Sequence, residues 1–248
     1  MRLAIALWRL AWSVAHVLHG ALICLCVFPF LSPAGRMQRV GWWSRRLLRL
    51  LGIELDVRGS LQAGPLLVVA NHVSWLDILA INALRPVRFV SKADVRHWPL
   101  LGWLVACGGT LFIERERKRD ALRVVHQIAA ALNDGDVVAV FPEGTTSAGH
   151  GLLPFHGNLL QAAIATHTPV QPLALRYSDA CDAVSQAAAY VDEVNLLQSL
   201  WAIVSARGLK VRVTVLGALP VTGADRRALA EQLRGLILAK LNLQTAAP

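Results

Sequence analysis

Residues 66–77 read LLVVANHVSWLD and join a wholly apolar run to a polar turn. The run from Leu66 to Ala70 is apolar at consecutive positions, which is typical of a strand that is covered on both faces of a sheet. At the end of this run, His72 precedes Asp77 by five residues. Ligands of open α/β sheets bind beyond the carboxyl ends of strands, so this stretch predicts a buried strand that leads into a polar site.

Similar apolar runs recur along the chain and alternate with helix-like stretches. The other predicted strands are 87–90, 110–113, 137–141, 170–175 and 211–216, and the predicted helices lie near 75–84, 119–133, 157–166 and 223–242. Strands that alternate with helices predict an α/β layered fold.

The composition is unusually apolar for a soluble protein. The 248 residues are 55% hydrophobic and 17% charged, with a mean hydropathy of +0.47. Such a chain is too apolar for disorder, and its length suits one domain with an appendage. The four cysteines lack the paired spacing of zinc ligands, so we expect neither a metal site nor a disulfide framework, and a reducing cytoplasmic setting fits best.

The net charge of +9 is concentrated in the N-terminal segment. Residues 1–50 contain seven arginines and no acid, while residues 10–31 carry no formal charge over 22 positions. A helix of that length, at about 1.5 Å per residue, matches a hydrocarbon core of about 30 Å. This combination favours an anionic membrane surface over nucleic acid, for which we expect no binding. One spanning helix and a hairpin in one leaflet both fit, and we favour the hairpin because Arg2 and Arg9 then stay on the cytoplasmic side.

The basic stretch after the apolar run predicts the orientation of the protein. Residues 36–51 interleave arginines with Trp42, Trp43 and leucines, which suits a helix in the headgroup region, although an ordinary surface helix is also compatible. By the positive-inside rule, the chain downstream lies on the cytoplasmic side of the inner membrane. We therefore divide the chain into a membrane anchor, 1–51, and an α/β domain, 52–248.

The His72–Asp77 spacing predicts a general base. Ser74 is placed to N-cap a helix, and Asp77 then falls in its first turn, from which it can fold back to the imidazole. The carboxylate of such a pair orients the ring while the other nitrogen accepts a proton from a hydroxyl. A structural histidine in a capping arrangement is the alternative.

A second polar turn, FPEGTTS at 141–147, also follows an apolar run. Gly144 lets backbone amides approach a ligand, and Glu143 can accept hydrogen bonds from hydroxyls. Two turns that both follow buried strands are expected to converge on one cleft. An ordinary polar turn is the alternative.

Two cations lie where predicted strands end. Arg115 ends the run Thr110-Leu-Phe-Ile-Glu-Arg115, where a guanidinium suits bidentate phosphate binding, and Lys92 follows the strand 87–90. Surface ion pairs are the alternative for both. The chain has neither a G-x-S-x-G nucleophile motif nor a glycine-rich nucleotide loop, so a His–Asp pair suggests direct transfer to an activated hydroxyl.

Four ordered blocks in the chain resemble the glycerolipid acyltransferase family. They are N-H-x-S-x-x-D at 71–77, F-I-x-R at 112–115, F-P-E-G-T-T-S at 141–147 and V-x-P-L-A-L at 170–175. Within the family, the chain resembles most the bacterial 1-acyl-glycerol-3-phosphate acyltransferases. The resemblance covers roughly residues 50–220 and implies a mixed central sheet covered by helices, preceded by a membrane-embedded helical anchor.

The resemblance also implies roles for the residues of these blocks. His72 would be the general base and Asp77 its orienting partner, while Arg115 and Lys92 would hold the acceptor phosphate. The acceptor glycerol would be positioned by Glu143, Gly144, Thr145 and Thr146. No cofactor is implied, since acyl-CoA or acyl carrier protein is the co-substrate.

The resemblance leaves the acceptor lipid open. Lysophosphatidic acid is the expected acceptor, and other lyso-lipids such as lyso-ornithine lipid are the alternative. Members often carry a basic F-K-x-G segment after the third block, where this chain has Phe155-His156-Gly157-Asn158. A catalytically silent lipid-binding protein with the same fold is the alternative from another class.

Overall fold

Seven strands lie within the residues that the computed structural model describes, which are 2–113, 118–191 and 193–242. They are β1 Glu54–Arg58, β2 Leu66–Ala70, β3 Arg88–Lys92, β4 Leu111–Ile113, β5 Val137–Val140, β6 Val170–Ser178 and β7 Lys210–Val215. The strands form one sheet in the order β1-β7-β6-β2-β5-β3-β4. Neighbours in the sheet run parallel except β6 and β7, which are antiparallel, so the predicted mixed sheet is confirmed.

Helices cover both faces of this sheet. In the described ranges they are α1 Arg2–Cys26, α2 Pro33–Leu50, α3 Leu76–Leu84, α4 Leu101–Cys107, α5 Lys118–Asn133, α6 Leu160–Ala165, α7 Leu196–Ser205 and α8 Arg226–Leu241. Helices α2, α3 and α7 pack on one face, and α5, α6 and α8 pack on the other. Every residue of β2 is buried, which confirms the expectation drawn from its continuous apolar run.

Three elements of the structure are missing from the sequence prediction. Strand β1 at the sheet edge alternates charged with apolar residues, and its acids pair with basic residues of β7, Glu54 with Lys210 and Asp56 with Arg212. Such a strand has no continuous apolar run that the prediction could detect. Helix α4 has only seven residues, and α7 lies in a segment for which no element was predicted.

The N-terminal segment folds as a helical hairpin. A short 3-10 turn at Phe28–Phe30 connects α1 to α2, and the two helices are joined by reciprocal hydrogen bonds between His16 and Trp43. Gly20 permits this approach, because a Cβ there would lie 2.5 Å from the Trp43 indole nitrogen. The Arg9 side chain donates to the carbonyls of Val204 and Ala206 at the end of α7. Helix α1 is therefore anchored to the α/β domain through Arg9.

Helix α2 packs on the domain as an ordinary surface helix would, and its place in the headgroup region stays a prediction. Leu47 and Leu48 are buried in the same core as α3, as in an ordinary surface helix of a domain. Arg39, Trp42 and Arg46 are exposed and free to face a membrane surface. The division of the chain after residue 51 stays a prediction, but it passes through packed core.

Candidate active site

The turns that follow β2 and β5 lie side by side because these strands are parallel neighbours. The first turn, residues 71–75, contains His72, and the second, residues 141–147, contains Glu143; we call them the His72 turn and the Glu143 turn. The backbone N–H of Ser147 donates to the His72 carbonyl at 2.8 Å. The His72 ring stacks on Phe141 with centroids 4.0 Å apart. The predicted convergence of the two turns is confirmed.

The His72 ring is held by Asp77 at one nitrogen only. Its Nδ1 lies 2.8 Å from Asp77 Oδ2. Because the carboxylate is an acceptor, Nδ1 carries a proton, and in the neutral ring the lone pair is then on Nε2. Within the described part of the chain, Nε2 has no hydrogen-bond partner, and the side chain is 19% exposed. This arrangement presents a proton acceptor to a ligand.

The carboxylate of Asp77 is completely buried and has a donor at each oxygen. Besides His72, Oδ2 accepts from the backbone N–H groups of Val73 at 2.7 Å and Ser74 at 2.9 Å. Oδ1 accepts from the hydroxyl of Tyr177, also at 2.7 Å. These four hydrogen bonds fix the carboxylate, and through it the plane of the imidazole.

Tyr177 is a site residue that the sequence analysis missed. It lies in β6, 100 residues after Asp77, and is buried. Burial, followed by the charge of Asp77, raises the pKa of Tyr177 well above its ordinary value, so the phenol stays protonated and remains a donor. The available signal was a single polar aromatic residue in an apolar strand, two residues beyond the fourth block.

Two other residues of the first block have structural roles. The side-chain amide of Asn71 exchanges two hydrogen bonds with the backbone of Leu175, and thereby extends the pairing of β2 with β6 by one residue. The prediction that Ser74 caps α3 is wrong. The N-cap position is Trp75, and the buried Ser74 hydroxyl has no partner among the described residues. Asp77 holds this turn instead, through the backbone N–H groups of Val73 and Ser74.

Glu143 connects its own turn to the His72 turn. Its Oε1 accepts from the backbone N–H of His72 at 2.7 Å, and its Oε2 accepts from that of Leu153 at 2.9 Å. The side chain is 3% exposed, and burial is the main cause that raises its pKa to about 7. Both oxygens are engaged by the backbone, so the geometry favours a positioning role for Glu143 over direct binding of an acceptor hydroxyl.

The remaining residues of the Glu143 turn form its outer rim. Gly144 has a φ of +74°, a conformation that favours glycine, and Thr145 is exposed. The Thr146 hydroxyl donates to the carbonyl of Tyr190. The ring of the exposed His156 lies beside Gly144.

Neither predicted phosphate ligand can be placed from side-chain geometry. Arg115 lies outside the described residues. Lys92 is the last residue of β3, and its side chain lies outside the described part of the structure. The roles of both residues stay predictions. In the described ranges, no group of three or more His, Cys, Asp or Glu side chains is arranged to hold a metal ion.

Comparisons with known proteins agree on one family. A family model described as Acyltransferase matches residues 54–176, a range that contains His72, Asp77 and Glu143. A lyso-ornithine lipid O-acyltransferase of Pseudomonas aeruginosa is 39% identical over 214 residues, which are 86% of this chain and 81% of the relative. A 1-acyl-sn-glycerol-3-phosphate acyltransferase of Neisseria meningitidis is 39% identical over 210 residues, 84% of this chain and 82% of the relative.

The fold also matches a solved structure. The crystal structure of the 1-acyl-sn-glycerophosphate acyltransferase of Thermotoga maritima superposes with a TM-score of 0.72 over 97% of this chain and 96% of that chain. The two sequences are 18% identical, so this comparison shows a shared fold.

Proposed function

Since this chain belongs to the acyltransferase family, we propose that it transfers an acyl group from a thioester donor to the free hydroxyl of a lyso-lipid. The enzyme is an O-acyltransferase. The observation that carries the proposal is the His72–Asp77 pair, in which Nδ1 is bound and Nε2 has no partner among the described residues. Both named relatives act on lyso-lipids, which supports this class of acceptor.

The proposed mechanism is a direct transfer that passes through a tetrahedral intermediate and forms no acyl-enzyme. His72 Nε2 accepts the proton of the acceptor hydroxyl while the oxygen attacks the thioester carbonyl. Asp77 stabilises the imidazolium that forms. The tetrahedral intermediate then expels the thiolate of coenzyme A or acyl carrier protein, which takes the proton from the imidazolium. The backbone N–H groups of Thr145 and Thr146 in the Glu143 turn would stabilise the oxyanion, whereas that of Gly144 already donates to the Phe141 carbonyl.

Three residues act as positioning residues in this proposal. Tyr177 donates to Oδ1 of Asp77, Glu143 accepts from the backbone N–H of His72, and Phe141 stacks on the imidazole. Thr145 and Gly144 lie on the rim, where the acceptor glycerol would pass. Glu143 therefore positions the base instead of the substrate.

The membrane association of the enzyme agrees with its substrate class. Helix α1 is the one described helix that is long and apolar enough to cross a membrane. Its buried positions Ala6, Ser13, His16 and Gly20 lie on one face, whereas most of its large apolar side chains, Trp8 and Trp12 among them, are exposed. Because α1 is packed along one side against the domain, we propose that the hairpin lies in one leaflet of the inner membrane, with the active site on the cytoplasmic side.

Lysophosphatidic acid is the proposed acceptor, and lyso-ornithine lipid is the second candidate. The first is favoured by the F-I-x-R block with Arg115, and the second by His156, which stands where related sequences often have a lysine and which lies beside Gly144. The similarity to a lyso-ornithine lipid O-acyltransferase supports the second candidate as strongly as the similarity to a 1-acyl-sn-glycerol-3-phosphate acyltransferase supports the first, since both relatives are 39% identical.

An acceptor screen separates the two candidates. Purified full-length enzyme is assayed with labelled acyl-CoA and acyl carrier protein on both acceptors. If lysophosphatidic acid is the acceptor, Arg115→Ala lowers kcat/KM, and the loss corresponds to about 1.5–3 kcal/mol of transition-state stabilisation, as expected for a charged hydrogen bond. Arg117→Ala removes the same charge two residues away and serves as the control. Equal losses for Arg115→Ala on both acceptors, with the fold intact by circular dichroism, would exclude the phosphate role and favour lyso-ornithine lipid.

A further inference from the structure

A cavity of about 650 Å³ opens at the amino ends of β3 and β5, whereas His72 follows the carboxyl end of β2. Its walls include the first residue of β5, Val137, and the first residue of β3, Arg88, together with Pro29 and Pro33 at the hairpin turn. His72 follows the other, carboxyl ends of these parallel strands. Four strand residues span about 13 Å, so this cavity, which we call the hairpin groove, is separate from the proposed active site.

The hairpin groove is lined by three arginines and one acid. Asp136 is neutralised by Arg88, with which it forms an ion pair at 2.7 Å. Arg36 and Arg85 also line the groove, and neither has an acidic partner among the described residues. The groove therefore carries two uncompensated positive charges.

The two unpaired arginines are held in place by backbone carbonyls. Arg36 Nε donates to Phe28 at 2.9 Å and to Leu31 at 3.2 Å, and Arg85 Nη1 donates to Gln62 at 2.7 Å. A guanidinium has five N–H donors, so most of the donors of each side chain remain available. Two positioned guanidinium groups in one cavity suit a phosphate group.

The groove also has an apolar side. Phe28, Pro29 and Met37 contribute to its lining. The residues that follow the lining positions Cys24 and Pro29 are Leu25 and Phe30, which are 64% and 87% exposed. A ligand that satisfies both the arginines and this apolar surface is an anionic amphiphile.

We propose that the hairpin groove binds the phosphate headgroup of an anionic phospholipid, whose acyl chains lie against the exposed apolar surface of α1 and the turn. This lipid is a bound membrane component and not a substrate, because the groove lies at the opposite ends of the strands from His72. The bound lipid bridges the hairpin, through Arg36, and the α/β domain, through Arg85. It thereby fixes the hairpin in the leaflet.

The test is lipid-dependent stabilisation of the full-length protein in neutral detergent. The Tm is measured against increasing dihexanoylphosphatidylglycerol, dihexanoylphosphatidylcholine or inorganic phosphate. A ligand that binds only the folded state raises the Tm in a saturable way. The phosphatidylglycerol is expected to stabilise the wild type and His72→Ala equally, whereas the other two ligands have at least tenfold weaker effects.

Matched arginine variants decide whether the groove is the binding site. Arg36→Gln and Arg85→Gln are each expected to weaken the apparent affinity for phosphatidylglycerol by tenfold or more. Arg39→Gln removes the same charge from an exposed position of α2 and should leave the affinity within twofold. Because Arg36 also holds the turn, Arg85→Gln decides the test if Arg36→Gln lowers the Tm without lipid.

Three results would overturn the proposal. Equal losses in all three variants would indicate general surface attraction, and equal stabilisation by phosphatidylcholine would exclude headgroup recognition. Inorganic phosphate that is as effective as the lipid would make the groove a simple anion site.

Discussion

Replacing Asp77 with asparagine separates the charge of this residue from its hydrogen bonds. In the wild type, Oδ2 accepts from His72, Val73 and Ser74, and Oδ1 accepts from Tyr177. The two backbone N–H groups would hold the amide oxygen of Asn at the Oδ2 position. The amide NH₂ then faces the Tyr177 hydroxyl, which can rotate and accept. All four contacts survive, and the imidazole keeps its tautomer.

The expected loss is therefore the electrostatic stabilisation of the imidazolium. Two unit charges about 4 Å apart interact by about 4 kcal/mol at an effective dielectric constant near 20. The ring of His72 is partly exposed, at 19%, which reduces this value somewhat. Each 1.36 kcal/mol corresponds to a tenfold change in rate, so Asp77→Asn should lower kcat by about 10²–10³.

The assay compares initial rates of acyl transfer with thermal unfolding. Asp77→Asn should unfold at a Tm close to that of the wild type, whereas Asp77→Ala should be strongly destabilised, because it leaves two buried backbone N–H groups without an acceptor. A kcat for Asp77→Asn within tenfold of the wild type, in a folded enzyme, would refute the electrostatic role of Asp77. A variant that fails to fold would refute the hydrogen-bond argument.

Other contacts of the site and the hairpin can be tested in the same way. Tyr177→Phe should lower the free energy of unfolding by about 1.5–3 kcal/mol and also lower kcat, because the buried Oδ1 of Asp77 loses its donor. Tyr190→Phe is the control, and equal behaviour of the two variants would contradict the role of Tyr177. The pKa of Glu143 is raised from 4.5 to about 7 in the folded state, so between these pH values the folded state binds more protons than the unfolded state. The wild type should therefore lose stability relative to Glu143→Gln as the pH rises from about 4.5 to 7, by at most about 3 kcal/mol, and change little above pH 7. A difference in unfolding free energy that does not vary with pH would contradict the raised pKa. Full-length protein should stay in the membrane fraction at about 1 M salt, where the Debye length is about 3 Å, and enter solution only with detergent; release by salt alone would contradict burial of the apolar face of α1.

Strands β2 and β5 were predictable because each is a continuous apolar run, and β3, β4, β6 and β7 because each contains a short apolar stretch. Strand β2 matches its predicted range, and β3, β4, β5, β6 and β7 deviate at their ends by a few residues. The convergence of the two polar turns followed from parallel neighbouring strands. Edge strand β1 was not predictable in this way, since its charged residues are stabilised by ion pairs with β7 that exist only in the folded sheet.

The parts of the site that depend on long-range packing were not predictable. The contact between His72 and Asp77 is local, so their spacing indicated it. Tyr177 reaches Asp77 only because β6 lies beside β2. The sequence likewise gave no sign that both oxygens of Glu143 accept backbone hydrogen bonds, one of them from Leu153. Burial of this kind is a property of the assembled turns.

Acyl transfer by purified His72→Ala tests whether His72 is the general base. Labelled acyl donor and each lyso-lipid acceptor are incubated with wild type, His72→Ala and His126→Ala, which removes an exposed histidine of α5. His72→Ala is expected to keep the Tm of the wild type but to lose most of its acyl transfer. His126→Ala should retain full activity, and no labelled acyl-protein should accumulate in the wild type. Wild-type rates in His72→Ala, or a stable acyl adduct on His72, would contradict the proposal that this histidine acts as the general base of a direct transfer.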